Sequence, residues 1–275
     1  MPDAGPAPDL IVVPARFGSK RLPGKPLLPI AGRTLLERVV DVARRAAALV
    51  GHCEIVVATD DTRIEAHAAA IGCPSVMTSP DIASGSGRAC AAAGMRAERP
   101  EIVVNLQGDA PFVPPAVVAG LLMAARGADA ACVTPVVRLD WDALDAMRAH
   151  KSDAPFSGTT CVRAQDGRAL WFSKAILPAI RDEAGARRAG PLSPVYRHLG
   201  LYAYRLDALE RFEATPPTPY ELLEGLEQLR FLETGLSIRT IEVDPPRHAM
   251  SGIDTAEDIA LAERLIARWG DPFGA

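Results

Sequence analysis

A chain of 275 residues with a net charge of −4 and no block of like charge excludes a nucleic-acid binder built on a basic tail. No apolar run approaches the roughly 20 residues that span a bilayer, so no membrane partner is expected. Five cysteines (Cys53, Cys73, Cys90, Cys132 and Cys161) form no CxxC pair, which argues against a zinc site or disulfide framework and for reduced thiols in the cytoplasm.

Met1 to Asp9 carries three prolines and no cationic segment, and reads as a short tail rather than a signal peptide. The apolar run Leu10 to Val13 predicts a buried strand, broken at Pro14 by a loop. That loop holds Arg16, Lys20, Arg21 and Lys25, with Gly18 and Gly24 and the stiffening Pro23 and Pro26. Cations and free backbone N–H groups delivered to one spot suit a triphosphate; the plainer alternative is a solvated basic turn. The loop is no P-loop, because Pro26 stands after Lys25 where Ser or Thr is required. Nor does Gly85-Ser-Gly87 make a dinucleotide fingerprint, since Cys90 replaces the third glycine.

Thr34-Leu-Leu-Glu37 predicts a capping box, with Leu35, Leu36, Val39, Val40 and Ala43 at helical spacing behind it. Glu54 to Ala58 predicts a second strand ending at Thr59-Asp60-Asp61, where Asp61 caps a helix from Thr62. Ser75 to Thr78 is a short third strand. A loop from Ser79 to Arg88 leads into an alanine-rich helix through about Glu98. Ile102 to Leu106 is a buried strand stopped by Gln107-Gly108-Asp109, Pro114-Pro115 opens a helix, and Ala130 to Val137 is another strand. This alternation predicts a parallel α/β sheet.

Beyond it, Cys161 to Arg163, Trp171-Phe172 and Leu199 to Tyr204 are strand-like pieces among turns. Thr218-Pro-Tyr-Glu221 is a second capping box. Its helix is expected to carry Leu222, Leu223, Leu226 and Leu229 on one face and to stop at Gly235. Ile238 to Val243 is a strand, and Thr255 caps a last helix to about Trp269. With no repeat or linker, residues 1–275 read as one domain with an insertion near 153–205.

In an open parallel sheet, ligands bind beyond the carboxyl ends of the strands. The loop after Val13, the Thr59-Asp60 turn and Gln107-Gly108-Asp109 are therefore expected to share one crevice, with Asp109 beside the cations. In Arg197 to Arg205, alternation puts His198, Gly200, Tyr202 and Tyr204 on one face, a polar face fit for a carbohydrate.

Several stretches are similar to one family. Pro14-Ala15-Arg16, Ser19 and Arg21-Leu-Pro-Gly-Lys-Pro-Leu27 resemble the signature loop of the cytidylyltransferases that activate 3-deoxy-sugar acids, above all the 3-deoxy-manno-octulosonate (Kdo) cytidylyltransferases. Asn105 to Asp109 resembles their N-x-QGD, Gly252 to Asp258 their G-x-D-T-x-E-D, Arg197 to Arg205 their RHLGIYGYR and Leu226 to Arg230 their LEQLR. The resemblance implies a nucleotidyltransferase-like, mostly parallel sheet with a small β-containing flap that makes a homodimer. It implies CTP and a 3-deoxy-ulosonic acid, Kdo first, as substrates, and magnesium on Asp109 and Asp254. Arg16 and Lys25 would grip the triphosphate and, with Asp109, carry catalysis. Pro14, Ala15, Ser19, Lys20, Arg21, Thr59, Asp60, Ser84, Gly85 and Gln107 complete the nucleotide site. Gln107, Lys174, His198, Tyr202, Glu227 and Gln228 would line the sugar site.

Four positions depart from the pattern. Gly87 replaces Glu in Ser-Gly-Thr-Glu-Arg, Ala110 replaces Glu in QGDEP, Thr160 stands for a strand Lys, and Lys174 stands for Arg in FSRA. These leave two rivals to Kdo transfer: a cytidylyltransferase for another nine-carbon or amino-substituted acid, and a catalytically silent nucleotide-binding homologue.

Overall fold

The computed structural model describes residues 7–18, 21–248, 250 and 252–274, so the expected contacts of Ser19 and Lys20 lie outside the described residues. β1 (Asp9–Ala15) leads through a 3-10 turn (Lys25–Leu27) to the small hairpin β2 (Pro29–Ile30) and β3 (Arg33–Thr34). There follow α1 (Leu35–Val50), β4 (Cys53–Thr59), α2 (Thr62–Ala70), β5 (Ser75–Met77), α3 (Gly85–Gly94), β6 (Ile102–Asn105) and α4 (Pro115–Gly127). Strands β5, β4, β1 and β6 lie side by side in that order, all parallel.

Leu10, Ile11, Val12 and Val13 are all buried because helices cover both faces of the sheet. Ile11 and Val13 pack with α1 and α4; Leu10 and Val12 pack with Ala89, Ala92 and Ala93 of α3, whose small side chains let that helix lie close to the sheet. Asp61 accepts from Arg63 N as expected, and Thr34 Oγ1 accepts from Glu37 N, but the capping box expected at Thr34 forms only this half, because the Glu37 carboxylate accepts from Arg33 instead.

Two further local expectations are corrected. β1 does not break at Pro14 but runs on to Ala15, paired with Thr59. Val12 turns its carbonyl toward Leu106, and Pro14 faces the same way; β6 pairing has ended at Asn105, so the missing N–H of proline costs no ladder bond. Helix α3 begins at Gly85, inside the expected loop, because Ser84 Oγ accepts from Gly87 N and caps it. It ends at Gly94 rather than near Glu98.

The chain continues as β7 (Cys132–Asp140), α5 (Trp141–Asp153), β8 (Thr160–Arg163), β9 (Ala169–Ser173), α6 (Glu183–Ala189), β10 (Leu192–His198), β11 (Tyr202–Arg205) and α7 (Leu206–Glu213). α8 (Pro219–Glu224), α9 (Gln228–Glu233), β12 (Ile238–Glu242) and α10 (Ala256–Trp269) complete it. The sheet extends from β6 through β11, β7, β10, β8 and β9, here antiparallel, with β12 parallel to β7. Together these make one large α/β sheet, parallel from β5 to β6 and antiparallel from β6 to β9.

β10 and β11 are one path along β7, interrupted at Leu199–Leu201. Thr134 fills the interruption: its hydroxyl donates to Leu201 O at 2.8 Å and meets His198 Nε2 at 2.9 Å. The face predicted by alternation survives, with the His198 and Tyr202 rings 5.4 Å apart and Tyr202 stacked on Tyr204 at 5.5 Å.

The capping box of Thr218 and Glu221 forms, but the single helix expected to Gly235 is two. Gly225 takes a left-handed conformation (φ 64°) and ends α8. Leu222 and Leu223 are consequently 70% and 78% exposed, whereas Leu226 and Leu229 join the core. The cap of Thr255 and Asp258 on α10 is as expected.

Candidate active site

Lys25 is the hub of the crevice. Its ammonium donates to Asp109 Oδ2 at 3.0 Å and to Asp254 Oδ1 at 3.2 Å, and Arg21 meets Asp254 Oδ2 at 2.9 Å. Two carboxylates remote in sequence thus share one cation. Asp109 follows β6 directly; Asp254 is brought to it by Ile253 N, which donates to Asp109 O at 2.9 Å, and by Gly252, packed on Asp109 at φ +149°. Asp254 N and Thr255 N both donate to Asp258, so the α10 cap also fixes the loop carrying Asp254.

The approach of Gln107-Gly108-Asp109 to β1 is closer than any side chain permits. A β-carbon on Gly108 would lie 2.2 Å from Pro14 O. Opposite, a β-carbon on Gly85 would meet Asn105 Nδ2 and Gln107 Oε1, each at 3.2 Å. The N-terminus of α3 therefore abuts Gln107, and the helix dipole there favours an anion. Asn105 is buried and its Oδ1 has no hydrogen-bond partner. Ser84 spends its hydroxyl on the α3 cap.

Asp60 sits between Arg88 Nη2 (2.9 Å) and Arg16 Nε (3.7 Å), while Arg16 also donates to Ala83 O at 3.0 Å. Arg88 is fully buried and binds Thr78 and Ile82 O as well. Burial pulls its guanidinium below the usual range and Asp60 opposes this. Arg88 escapes a motif reading because a lone cation on an alanine-rich helix looks solvated; its place three residues into the helix, on the buried face, is the missed signal. Thr59 is wholly buried, its carbonyl taking Thr78 N at 2.8 Å.

Of the residues expected to line a sugar site, His198 and Tyr202 are in ring contact, with Lys174 close enough for its charge to reach His198. Ser173 Oγ and Lys174 N both bind Glu224, and Lys174 Nζ donates to Thr159 Oγ1 at 3.2 Å. His198 stands between Phe172 (5.0 Å) and Tyr202. Burial, reinforced by the Lys174 charge, drops His198 to about 3, so the ring is neutral at any working pH. Since Thr134 spends its proton on Leu201 O, His198 donates through Nε2 and keeps Nδ1 as an acceptor. Burial raises the Tyr202 phenol well above its usual value, and the Glu227 charge adds to the rise. Glu227 in turn accepts from Ser86 Oγ at 2.7 Å, which ties it to α3. Gln228 is buried with an unpartnered Nε2, a donor held ready for an acceptor.

Thr160 explains its own departure. Its hydroxyl donates to Ala175 O at 2.7 Å and accepts from Leu177 N at 3.2 Å, fastening the turn that carries Lys174.

The donor set suits magnesium. Asp109 and Asp254 offer hard oxygens converging on a single cation, and they leave most of a coordination sphere to phosphate oxygens and water. No group of three or more His, Cys, Asp or Glu forms a closed metal cage among the described residues. None of their helices is long and apolar enough to cross a membrane.

The chain is similar to known proteins over most of its length. The model of a family described as cytidylyltransferase matches residues 10–239. A 3-deoxy-manno-octulosonate cytidylyltransferase of Maricaulis maris is 43% identical over 265 residues, covering 95% of this chain and 98% of its own. One of Nitratidesulfovibrio vulgaris is 41% identical, covering 93% and 94%. The solved structure of a CMP:2-keto-3-deoxy-manno-octonic acid synthetase complexed with CTP superposes with a TM-score of 0.80 at 33% identity, covering 95% of this chain and 99% of that one. The chain belongs to the 3-deoxy-manno-octulosonate cytidylyltransferase family, with the fold that its sequence led one to expect.

Proposed function

We propose that the protein transfers CMP from CTP to the anomeric hydroxyl of Kdo, releasing pyrophosphate, as a cytoplasmic step that activates this acid for lipopolysaccharide. The observation that carries the reading is the junction of Lys25 with Asp109 and Asp254 at the carboxyl end of the parallel strands. The sugar oxygen attacks the α-phosphorus in line; a new P–O bond forms as the bond to the β-phosphate bridge breaks. Such a transfer depends on positioning and charge neutralisation more than on covalent help from the protein. Arg16, Arg21 and Lys25 supply positive charge to the triphosphate, and the α3 N-terminus beside Gln107 adds the positive end of a helix dipole. Magnesium on Asp109 and Asp254 would neutralise charge at phosphorus and acidify the attacking hydroxyl. We assign no protein general base. The segment near 153–205 is proposed as an insertion within one domain that pairs two copies as a homodimer.

The test is pyrophosphate release with each nucleoside triphosphate, with and without a chelator. Activity with CTP and magnesium is expected, and binding of CTP measured by calorimetry should be tighter than that of ATP or UTP. Equal binding of all three, or activity untouched by the chelator, would refute the nucleotide and metal assignments.

Lys174 favours a second reading, transfer to an amino-substituted or nine-carbon acid. Arg grips a carboxylate bidentately where Lys offers a point charge, and the Lys174 charge reaches His198. Lys174→Arg is expected to change the ratio of kcat/KM between Kdo and a rival acid by up to about 10²-fold, with the KM for CTP little altered. An unchanged ratio would take Lys174 out of the sugar site.

A further inference from the structure

Lys151 lies in the last turn of α5, and its ammonium sits where four backbone carbonyls converge. It donates to Lys174 O at 2.6 Å, to Gly158 O at 3.2 Å and to Ser157 O, with Pro155 O beside them at 3.4 Å. Three of these carbonyls belong to the loop that follows α5. Gly158 takes a left-handed conformation there (φ 62°), and Ser157 is tied back to Ala154 O by its N–H at 3.0 Å and by its hydroxyl at 2.7 Å. The fourth carbonyl is remote: Lys174 stands just beyond β9, 23 residues further along the chain.

A lysine that only closed its own loop would need the first three. The bond to Lys174 joins that loop to the turn after β9, and both lead to residues of the sugar site. Thr159 follows Gly158 directly and is buried. Its hydroxyl accepts from Lys174 Nζ at 3.2 Å, and its carbonyl accepts from His198 N at 2.9 Å. Lys174 is therefore held at three points: its N–H by Glu224 at 2.8 Å, its carbonyl by Lys151 and its ammonium by Thr159. Lys151 and Lys174 bring two cations to this turn against the one carboxylate of Glu224. Burial pulls both ammonium groups below their usual range; the Lys174 charge lowers Lys151 further, and Glu224 opposes the fall in both. Like charges packed together repel, and an acidic ligand relieves the repulsion.

We propose that Lys151 is a positioning residue for the sugar acid. By gathering the carbonyls of Gly158 and Lys174 on one ammonium, it fixes the Lys174 side chain on Thr159, beside His198, to meet the carboxylate of the acid. This rests on the placement of Lys174 in the sugar site.

Lys151→Gln separates this role from loop closure. Its amide reaches one atom less far and offers two N–H donors, enough for the loop carbonyls but not for Lys174 O as well. The KM for Kdo, the KM for CTP and the melting temperature are measured for the parent, Lys151→Gln, Lys151→Met, Lys174→Ala and the double variant Lys151→Gln with Lys174→Ala. Lys151→Gln should raise the KM for Kdo by roughly tenfold, the effect of one hydrogen bond to a charged group, with the KM for CTP within about twofold. The double variant should be no worse than Lys174→Ala alone, because Lys151 acts through Lys174. Lys151→Met, which removes every bond, should raise the KM for Kdo at least as far and also lower the melting temperature; if it does not fold, Lys151→Gln decides alone. The proposal is overturned if Lys151→Gln leaves the KM for Kdo unchanged, if it raises both KM values equally, or if its effect persists in full beside Lys174→Ala. An unaltered KM for Kdo in Lys174→Ala would sink the sugar-site placement itself and the proposal with it. A raised KM there with no response at Lys151 would sink only the link through the Lys174 carbonyl.

Discussion

Asp109→Asn and Asp254→Asn should each lower turnover by at least about 10²-fold, the loss of about 3 kcal/mol of preorganised charge stabilisation, and leave the fold standing. The fold is spared because these ion pairs are partly solvated, with the side chains of Asp109 and Asp254 32% and 42% exposed. Pairs in such settings contribute about 0–1 kcal/mol, and Lys25 keeps its second partner in either variant. Asn preserves the shape and the contact with Lys25 but surrenders the negative charge. Pyrophosphate release at saturating magnesium, set beside thermal melting, separates the two effects. Near-normal turnover in either variant would remove that residue from the metal site. Loss of turnover together with a large drop in melting temperature would instead make the carboxylate a structural anchor.

What the sequence revealed of this site follows from where each signal lies. Strands β1, β4 and β6 are legible because helices cover both faces of the sheet, which leaves their central runs, Leu10 to Val13, Val56 to Ala58 and Ile102 to Val104, apolar and buried. The caps at Thr34, Asp61, Thr218 and Thr255 are legible because capping chemistry is local. Asp109 could be placed at a strand end, but nothing local in Gly252 to Asp258 says that Asp254 stands beside it; only the family pattern joined them, and Lys25 shows the junction.

The second half was less legible for a physical reason. β10 contains Pro194 and buries the polar Ser193 and His198, so no apolar period of two stands out. α5 has a weakly amphipathic sequence, with only Trp141 and Leu144 buried. The leucines of α8 and α9 mimic one apolar stripe, and only the left-handed Gly225 turns half of them to solvent.

Gly108→Ala is the smallest change expected to disable the enzyme. The restriction is one of space: the added β-carbon would lie 2.2 Å from Pro14 O and 3.3 Å from Pro14 C. Both atoms are backbone, and Pro14 is paired to Ala58 within a buried parallel ladder, so no side chain can swing aside to make room. Either β1 or the Gln107-Gly108-Asp109 turn must move. The turn yields first, because β1 is held on both sides while the turn is closed by its own bond from Ala110 N to Gln107 O and tied to the rest by contacts such as Ile253 N to Asp109 O and Lys25 to Asp109. Overpacking of this kind costs about 1–3 kcal/mol of stability. A shift of about 1 Å in Asp109 and Gln107 costs about 10²-fold in rate, since the reaction depends on position. Gly120→Ala is the matched control: its β-carbon would meet Ile241 Cδ1 at 3.6 Å, an ordinary contact, inside α4. It should raise stability by roughly 0.5–1 kcal/mol with activity unchanged. Steady-state rates and melting temperatures of the two variants make the comparison. Full activity in Gly108→Ala would mean that β1 and the turn separate at no cost, and that the close approach of Gly108 to Pro14 does not hold Asp109 in place.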